Sequence, residues 1–200
     1  MKLFNSLENY LGRVRSHVPS LPEKRKKVLD DIRKYVDTHP DRANLIFICT
    51  HNSRRSQFGQ IWAQIAAGYY GFMQVKTYSG GTEATAFHPN ALAALERAGF
   101  MVKKVAEEKN PLYEISIGEG QEVIKAFSKA YDHPANPSGN FLALMTCSEA
   151  DENCPFVIGA EQRISLHYED PKIADGTVKQ DEIYDERCLQ IAAEMFYVFS

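Results

Sequence analysis

The run Cys49-Thr50-His51-Asn52-Ser53-Arg54-Arg55-Ser56 sets a cysteine and an arginine six positions apart in a polar stretch. Before it, Leu45-Ile46-Phe47-Ile48 is apolar and partly β-branched, the pattern of a buried parallel strand. After it, Phe58, Ile61, Trp62, Ile65 and Ala66 recur at helical spacing. Cys49 therefore sits at the carboxyl end of a strand, followed by a tight loop and a helix start. Successive backbone N–H groups in such a loop, with the helix N-terminus behind them, cradle an anion. Arg55 can close a planar fork on a tetrahedral oxyanion, and the same positive field favours a thiolate nucleophile at Cys49. The competing explanation is a buried strand-end cysteine with a surface arginine nearby. Asn52 and Ser56 inside the loop, and the flanking strand and helix, favour the chemical reading.

A second constellation follows another apolar run, Phe141-Leu142-Ala143-Leu144-Met145, which reads as a central strand. Thr146-Cys147 through Cys154-Pro155 brings two more cysteines, seven residues apart, to the sheet edge that carries Cys49. Three readings stay open: a metal site, for which this spacing without a His pair suits zinc poorly; a buried Cys147 with an incidental Cys154; or a redox relay. In the relay an attacked Cys49 passes its bond to Cys147, and Cys147 passes it to Cys154, by thiol–disulfide exchange. Finally, Tyr168-Glu169-Asp170-Pro171 places a carboxylate at a further strand end, where it can reach the cradle and protonate a leaving oxygen. An ordinary Asp-Pro turn is the alternative.

The elements that must position these groups alternate between strand and helix. Residues 74–79 read as a strand broken by Gly80-Gly81, 89–98 as a helix stopped by Gly99, and 119–131 as a helix with Val123, Ile124 and Phe127 on one side. A loop over 132–139, a short strand over 164–168 and a closing helix over 181–199 complete the set. Trp62 and Cys188 read as core residues. Alternation of this kind implies a parallel sheet covered on both faces, with ligands beyond the carboxyl ends of its strands. Residues 1–42 form a helical N-terminal extension, with Val28, Ile32 and Val36 at helical spacing. Glu23-Lys24-Arg25-Lys26-Lys27 reads as a solvated face, with a partner-docking patch as the lesser reading. The catalytic domain takes 43–200, with an enlarged 105–140 segment that covers the site or makes an interface.

The chain has 200 residues, 44% hydrophobic and 24% charged, which suits one globular domain with an appendage. No apolar run reaches membrane length, and Met1 to Leu11 lacks the central block of a signal peptide, so no membrane association and a cytoplasmic location are expected. A net charge of −3 argues against nucleic acid as a partner. The four cysteines are expected to be reduced rather than a disulfide scaffold.

These motifs together resemble the low-molecular-weight phosphotyrosine phosphatase superfamily, and within it the thioredoxin-coupled arsenate reductases. The reductase loop reads Cys-Thr-Gly-Asn-Ser-Cys-Arg-Ser-Gln, and residues 49–57 match it at seven of nine positions. Tyr78-Ser79-Gly80-Gly81 resembles the family's Tyr-Ser-Ala-Gly, and His88-Pro89-Asn90-Ala91 its Asn-Pro-x-Ala helix start. Cys147 and Cys154 have the separation of the reductases' redox pair, and Glu169-Asp170-Pro171 resembles the catalytic Asp-Pro segment. The departures are His51 for a glycine suited to positive φ, Arg54 for a cysteine, and Gln60 where some members carry a potassium-binding Glu.

The resemblance implies an α/β fold: a single three-layer domain with a four-stranded parallel sheet and helices on both faces. It implies reduction of arsenate to arsenite by a thiol cascade through Cys49, Cys147 and Cys154, with Asp170 as proton donor. The oxyanion would be held by Thr50, His51, Asn52, Ser53, Arg54 and Arg55, with Asn52 and Ser56 bonding the loop and the thiolate. No bound cofactor or metal is implied; thioredoxin is the reductant and partner. The alternative is a low-molecular-weight phosphatase acting on phosphotyrosine proteins or other phosphate monoesters through a phosphocysteine, with Tyr113 or Tyr168 as a candidate aromatic rim. A non-catalytic oxyanion-binding module is the minor alternative.

Overall fold

The computed structural model describes residues 1–154 and 156–200. Pro155, quoted above with Cys154, lies outside them. The chain runs α1 (Asn5–His17), a 3-10 turn (Val18–Ser20), α2 (Glu23–Thr38), β1 (Ala43–Cys49), α3 (Arg55–Tyr70), β2 (Val75–Gly81) and α4 (Pro89–Arg97). It continues through β3 (Met101–Lys104), β4 (Tyr113–Ser116), β5 (Ile124–Ala126), β6 (Phe141–Met145), α5 (Ser148–Asn153), β7 (Ala160–Ser165), a second 3-10 turn (Pro171–Ala174) and α6 (Gln180–Phe199).

Four strands form a parallel sheet in the order β2-β1-β6-β7. Every residue of β1 is buried, as a central strand covered on both faces requires. Its side chains alternate: Leu45 and Phe47 join the larger apolar cluster with α1, α2, α3, α4 and α6, while Ile46 and Ile48 face a smaller one that includes Ala150 of α5. The expected α/β architecture, a four-stranded parallel sheet with helices on both faces and helices at the N-terminus, is what is found. Trp62 and Cys188 are both fully buried, and the indole Nε1–H donates to the thiol at 3.2 Å.

Two expectations need correction. Residues 119–131 are not a helix. Ile124 to Ala126 form an edge strand in a separate antiparallel sheet, β3-β4-β5. Ile124, Lys125 and Ala126 alternate half-buried, exposed, buried, a period of two rather than of 3.6, and Gly120 sits at φ +70°. Pairing with β4, the strand just before it, overrides the local helical spacing. The final strand also lies earlier than 164–168, at Ala160–Ser165, while residues 166–168 run beside the end of β6 and the residue after it. Leu166 N donates to Met145 O at 2.8 Å and Tyr168 N to Thr146 O at 3.1 Å. That extended stretch brings Asp170 to the edge of the sheet that carries Cys49.

The 105–140 segment returns to the main sheet after its excursion. Gly81 N donates to Lys129 O at 2.8 Å and Tyr131 N to Gly81 O at 2.9 Å, a short parallel bridge beside β2. A Cβ on Gly80 would lie 2.4 Å from Tyr131 Cα, so only glycine admits this approach. The N-terminal helices are not laid on the surface as an independent unit: Leu7, Leu11 and Val14 of α1 and Leu29, Ile32 and Val36 of α2 are fully buried in the cluster that α6 completes. Leu11→Ala should therefore lower the stability of the whole fold by about 2–5 kcal/mol in urea denaturation, with one cooperative transition. A variant that melted α1 alone would contradict the shared core.

Candidate active site

The loop after β1 is built around Asn52. It is one of two non-glycine residues at positive φ among the described residues, at φ 48°, and its side chain is fully buried. Asparagine tolerates the left-handed region better than most residues, and here four hydrogen bonds hold it. Gln57 Nε2 donates to Asn52 O (3.0 Å) and Oδ1 (3.2 Å), Lys129 N donates to Asn52 Oδ1 (2.9 Å), and Asn52 Nδ2 donates to Ser56 Oγ (2.8 Å). Because a backbone N–H can only donate, the Lys129 contact fixes which way the amide faces. Ser56 Oγ already accepts from Asn52, so its own proton is free to point at Cys49 Sγ, 3.0 Å away. The nucleophile candidate is thus buried, with a hydroxyl aimed at its sulfur.

Arg55, the first residue of α3, turns its guanidinium toward the last strand. Its Nη1 donates to Tyr168 O (3.1 Å) and its Nη2 to Asp170 Oδ2 (2.7 Å), while its Nε is buried without a partner among the described residues. Asp170 Oδ1 accepts from Lys172 N at 3.0 Å, capping the turn that Pro171 starts. Arg55 and Asp170 are therefore brought together, as the sequence suggests. On the opposite flank, Cys147 caps α5 and lies 3.5 Å from Thr50 Oγ1; Thr50 Oγ1 also donates to Glu149 Oε2 at 2.9 Å. Cys154 ends α5 and is half-buried, and all four cysteines are free thiols.

Three loop residues direct their side chains to partners around the loop. His51 does not occupy the left-handed position; Asn52 does. The His51 ring is partly exposed and meets Glu83 at 2.9 Å. The Arg54 side chain turns from the cradle: its Nε donates to Tyr184 Oη (2.7 Å) and its Nη2 to Asp175 Oδ2 (3.2 Å), and Asp170 is 4.0 Å away. Ser53 Oγ donates to Ala86 O at 2.6 Å, so its side chain ties the loop to the segment before α4. Tyr168 is no rim residue, because it is buried with its hydroxyl donating to Glu194 Oε2 at 2.7 Å.

No protein-family model matches the chain. Curated relatives include the arsenate reductase of Bacillus licheniformis, 25% identical over 146 residues, spanning 73% of this chain and 86% of that protein. Arsenate reductase 2 of Staphylococcus haemolyticus is 28% identical over 131 residues, 66% of this chain and 80% of its own. Among solved structures, a YwlE mutant from Bacillus subtilis aligns with a TM-score of 0.53 at 16% identity, over 78% of this chain and 96% of that one. The low-molecular-weight protein tyrosine phosphatase from T. tengcongensis aligns at 0.51 with the same identity and coverage. The chain is thus similar in sequence to arsenate reductases, and it shares the fold of low-molecular-weight phosphatases.

Beside the Cys49 loop lies a polar cluster that the sequence did not announce. Tyr184 of α6 and Asn90 of α4 donate to Asp175 Oδ1 (2.7 and 3.1 Å), and Asp175 Oδ2 takes Arg54. Burial alone would raise the Asp175 carboxyl, but those hydrogen bonds and the Arg54 charge outweigh it and hold it below the usual range. His88 Nδ1 accepts from Asn90 N at 3.3 Å, capping α4; burial, then the nearby Arg54 charge, lower its pKa and keep it neutral for that role. The substitution at Arg54 thus has a structural partner set. No spacing rule links residues 54, 88, 175 and 184, which is why only the folded chain reveals them.

A depressed carboxylate stabilises the fold above its unfolded pKa and loses that contribution as pH falls through the folded value. The stability gap between wild type and Asp175→Asn should thus be open at pH 6 and close as pH drops below about 4, in urea titrations at each pH. Burial pushes the Cys188 thiol up to about 12, so Ellman's reagent at pH 8 should leave Cys188 unmodified in the native protein and reach it only after denaturation.

Proposed function

We propose that this protein reduces arsenate to arsenite by a cysteine cascade, with thioredoxin as the reductant. The observation that carries the reading is the seat of Cys147: its sulfur lies 3.5 Å from Thr50 Oγ1, the residue next to Cys49, and it caps the helix whose far end is Cys154. A phosphatase cycle has no use for that pair.

Arsenate would enter the cradle of N–H groups from residues 50–55, with Arg55 exchanging part of its bonding to Asp170 and Tyr168 for the oxyanion. The orphaned Arg55 Nε gains a partner in that exchange. The Cys49 thiolate, held by Ser56, attacks arsenic. Asp170, freed from Arg55, gives a proton to the departing hydroxyl, and an arsenylated Cys49 results. Cys147 then attacks Cys49 sulfur. The sulfur–arsenic bond breaks, its electron pair stays with arsenic, and As(V) leaves as arsenite, As(III). Cys154 next attacks Cys147, releasing Cys49 as a thiolate and leaving a Cys147–Cys154 disulfide. The thioredoxin dithiol supplies the two electrons that reopen it. Such exchange belongs in a reducing compartment, and we place the protein in the cytoplasm on that basis.

The last intramolecular step requires a shape change. Seven helical residues rise about 10 Å, whereas a disulfide needs Cα atoms within about 7 Å. Forming the second disulfide must therefore unwind α5, a helix of only six residues. Short helices are marginal on their own, so this unwinding is within reach.

With thioredoxin, its reductase and NADPH, wild-type protein should turn over arsenate. Cys147→Ser and Cys154→Ser should each lose catalytic turnover by at least about a hundredfold, consistent with loss of an essential covalent group. Hydrolysis of para-nitrophenyl phosphate, which needs Cys49, Arg55 and Asp170 alone, should be unchanged in both variants. Robust ester hydrolysis with no arsenate turnover would instead make the protein a phosphatase. Oxyanion binding with neither activity would make it a binding module.

A further inference from the structure

The 105–140 segment delivers one charge to the buried side of the Cys49 loop. Lys129 is 4% exposed. Its ammonium lies 3.5 Å from Ser79 Oγ and 3.5 Å from Phe127 O, and 4.6 Å from the centroid of the Phe127 ring. No carboxylate pairs with it among the described residues, and burial alone pushes its pKa down to about 8. At neutral pH it is a charged group without a counter-ion inside the protein, an arrangement that works against folding.

Its neighbours lead to the nucleophile. The Lys129 backbone N–H donates to Asn52 Oδ1, Asn52 Nδ2 donates to Ser56 Oγ, and Ser56 Oγ faces Cys49 Sγ. By a second route the ammonium donates to Ser79 Oγ, which donates to Gln60 Oε1 at 2.6 Å and lies 3.4 Å from Gln57 Oε1. Gln57 Nε2 in turn donates to Asn52 and to Phe127 O. Lys129 thus sits behind the one loop residue whose backbone is left-handed, with both routes converging on it.

We propose that Lys129 is a positioning residue whose buried ammonium is the counter-charge for an oxyanion held in the Cys49 loop, acting from the loop's buried side while Arg55 acts at its mouth. This rests on the reading of that loop as an oxyanion site. A buried cation is poorly screened, so its field reaches the cradle at a strength no surface lysine would have. A bound anion would compensate the ammonium, so anion binding and this charge support each other. The enlarged segment then has a role in the site: it carries the charge in and, through Gly80 and Gly81, fixes it beside β2.

The test is the phosphate dissociation constant at pH 7, read from protection of Cys49 against iodoacetamide alkylation, with the modified residue identified by mass spectrometry. Lys129→Met keeps the length and the backbone bond to Asn52 and removes only the charge. It should weaken phosphate binding by about tenfold, while the melting temperature holds or rises because a buried charge is gone. Phosphate affinity within about twofold of wild type would overturn the proposal. Should Lys129→Met instead lower the melting temperature, Lys129→Ala with added methylammonium decides. Recovery of phosphate affinity by methylammonium, and not by the bulkier tetramethylammonium, supports the buried cation, and failure to recover refutes it. Absence of phosphate protection in the wild type would overturn the oxyanion-site reading itself, and the role of Lys129 with it.

Discussion

The constraint on which the proposed oxyanion site depends is that several backbone N–H groups converge on one small volume at the end of a strand. A peptide left to itself would turn such groups to water or to neighbouring carbonyls. Asn52 prevents that. Its left-handed backbone reverses the chain, and its buried amide is used on both ends, as acceptor for Gln57 and Lys129 and as donor to Ser56. Partners come from α3 and from the 105–140 segment, so the loop is held by elements that are themselves fixed in the core. Sites of this kind act through donors already in place, which need no reorganisation when the anion arrives.

The two arginines of the loop divide the work by where their partners lie. Arg55 is paired with Asp170, a carboxylate that can release it when a better anion enters. Arg54 is committed to Asp175 and Tyr184, and through them to α4 and α6. One guanidinium is thus available to a ligand and the adjacent one braces the scaffold. Neighbours in sequence point to different surroundings because the chain is entering a helix, where successive side chains diverge by about 100°.

A comparable tension surrounds α5. The helix separates two thiols whose union requires its loss, and it is tied down at both flanks. Glu149 meets Thr50 of the loop, while Asp151 pairs with His167 at 2.7 Å and with Arg163. Against the smaller apolar cluster it buries little more than Ala150 and Cys147. Local stability follows buried apolar contact, so this is an element poised for local opening, in contrast to α6, which is buried along most of its length.

What the sequence by itself determined was everything carried by short-range pattern. The apolar runs of β1 and β6, the helix after the loop, the Cys49 and Arg55 spacing, the Cys147 and Cys154 pair and the Asp170-Pro171 turn are local signals, and each local element sits where its own residues favour it. Tertiary structure decided what depends on which element lies alongside. Residues 124–126 became a strand because β4 offered an edge, Arg54 left the cradle because Asp175 and Tyr184 were folded against it, and the left-handed position fell to Asn52 because its amide had buried partners. Lys129 is the clearest case. Its sequence neighbourhood is unremarkable, and its place behind the Cys49 loop exists only because a chain segment returns to β2 beside two glycines. Burial and long-range contact are properties of the assembled fold, and no spacing along the chain encodes them.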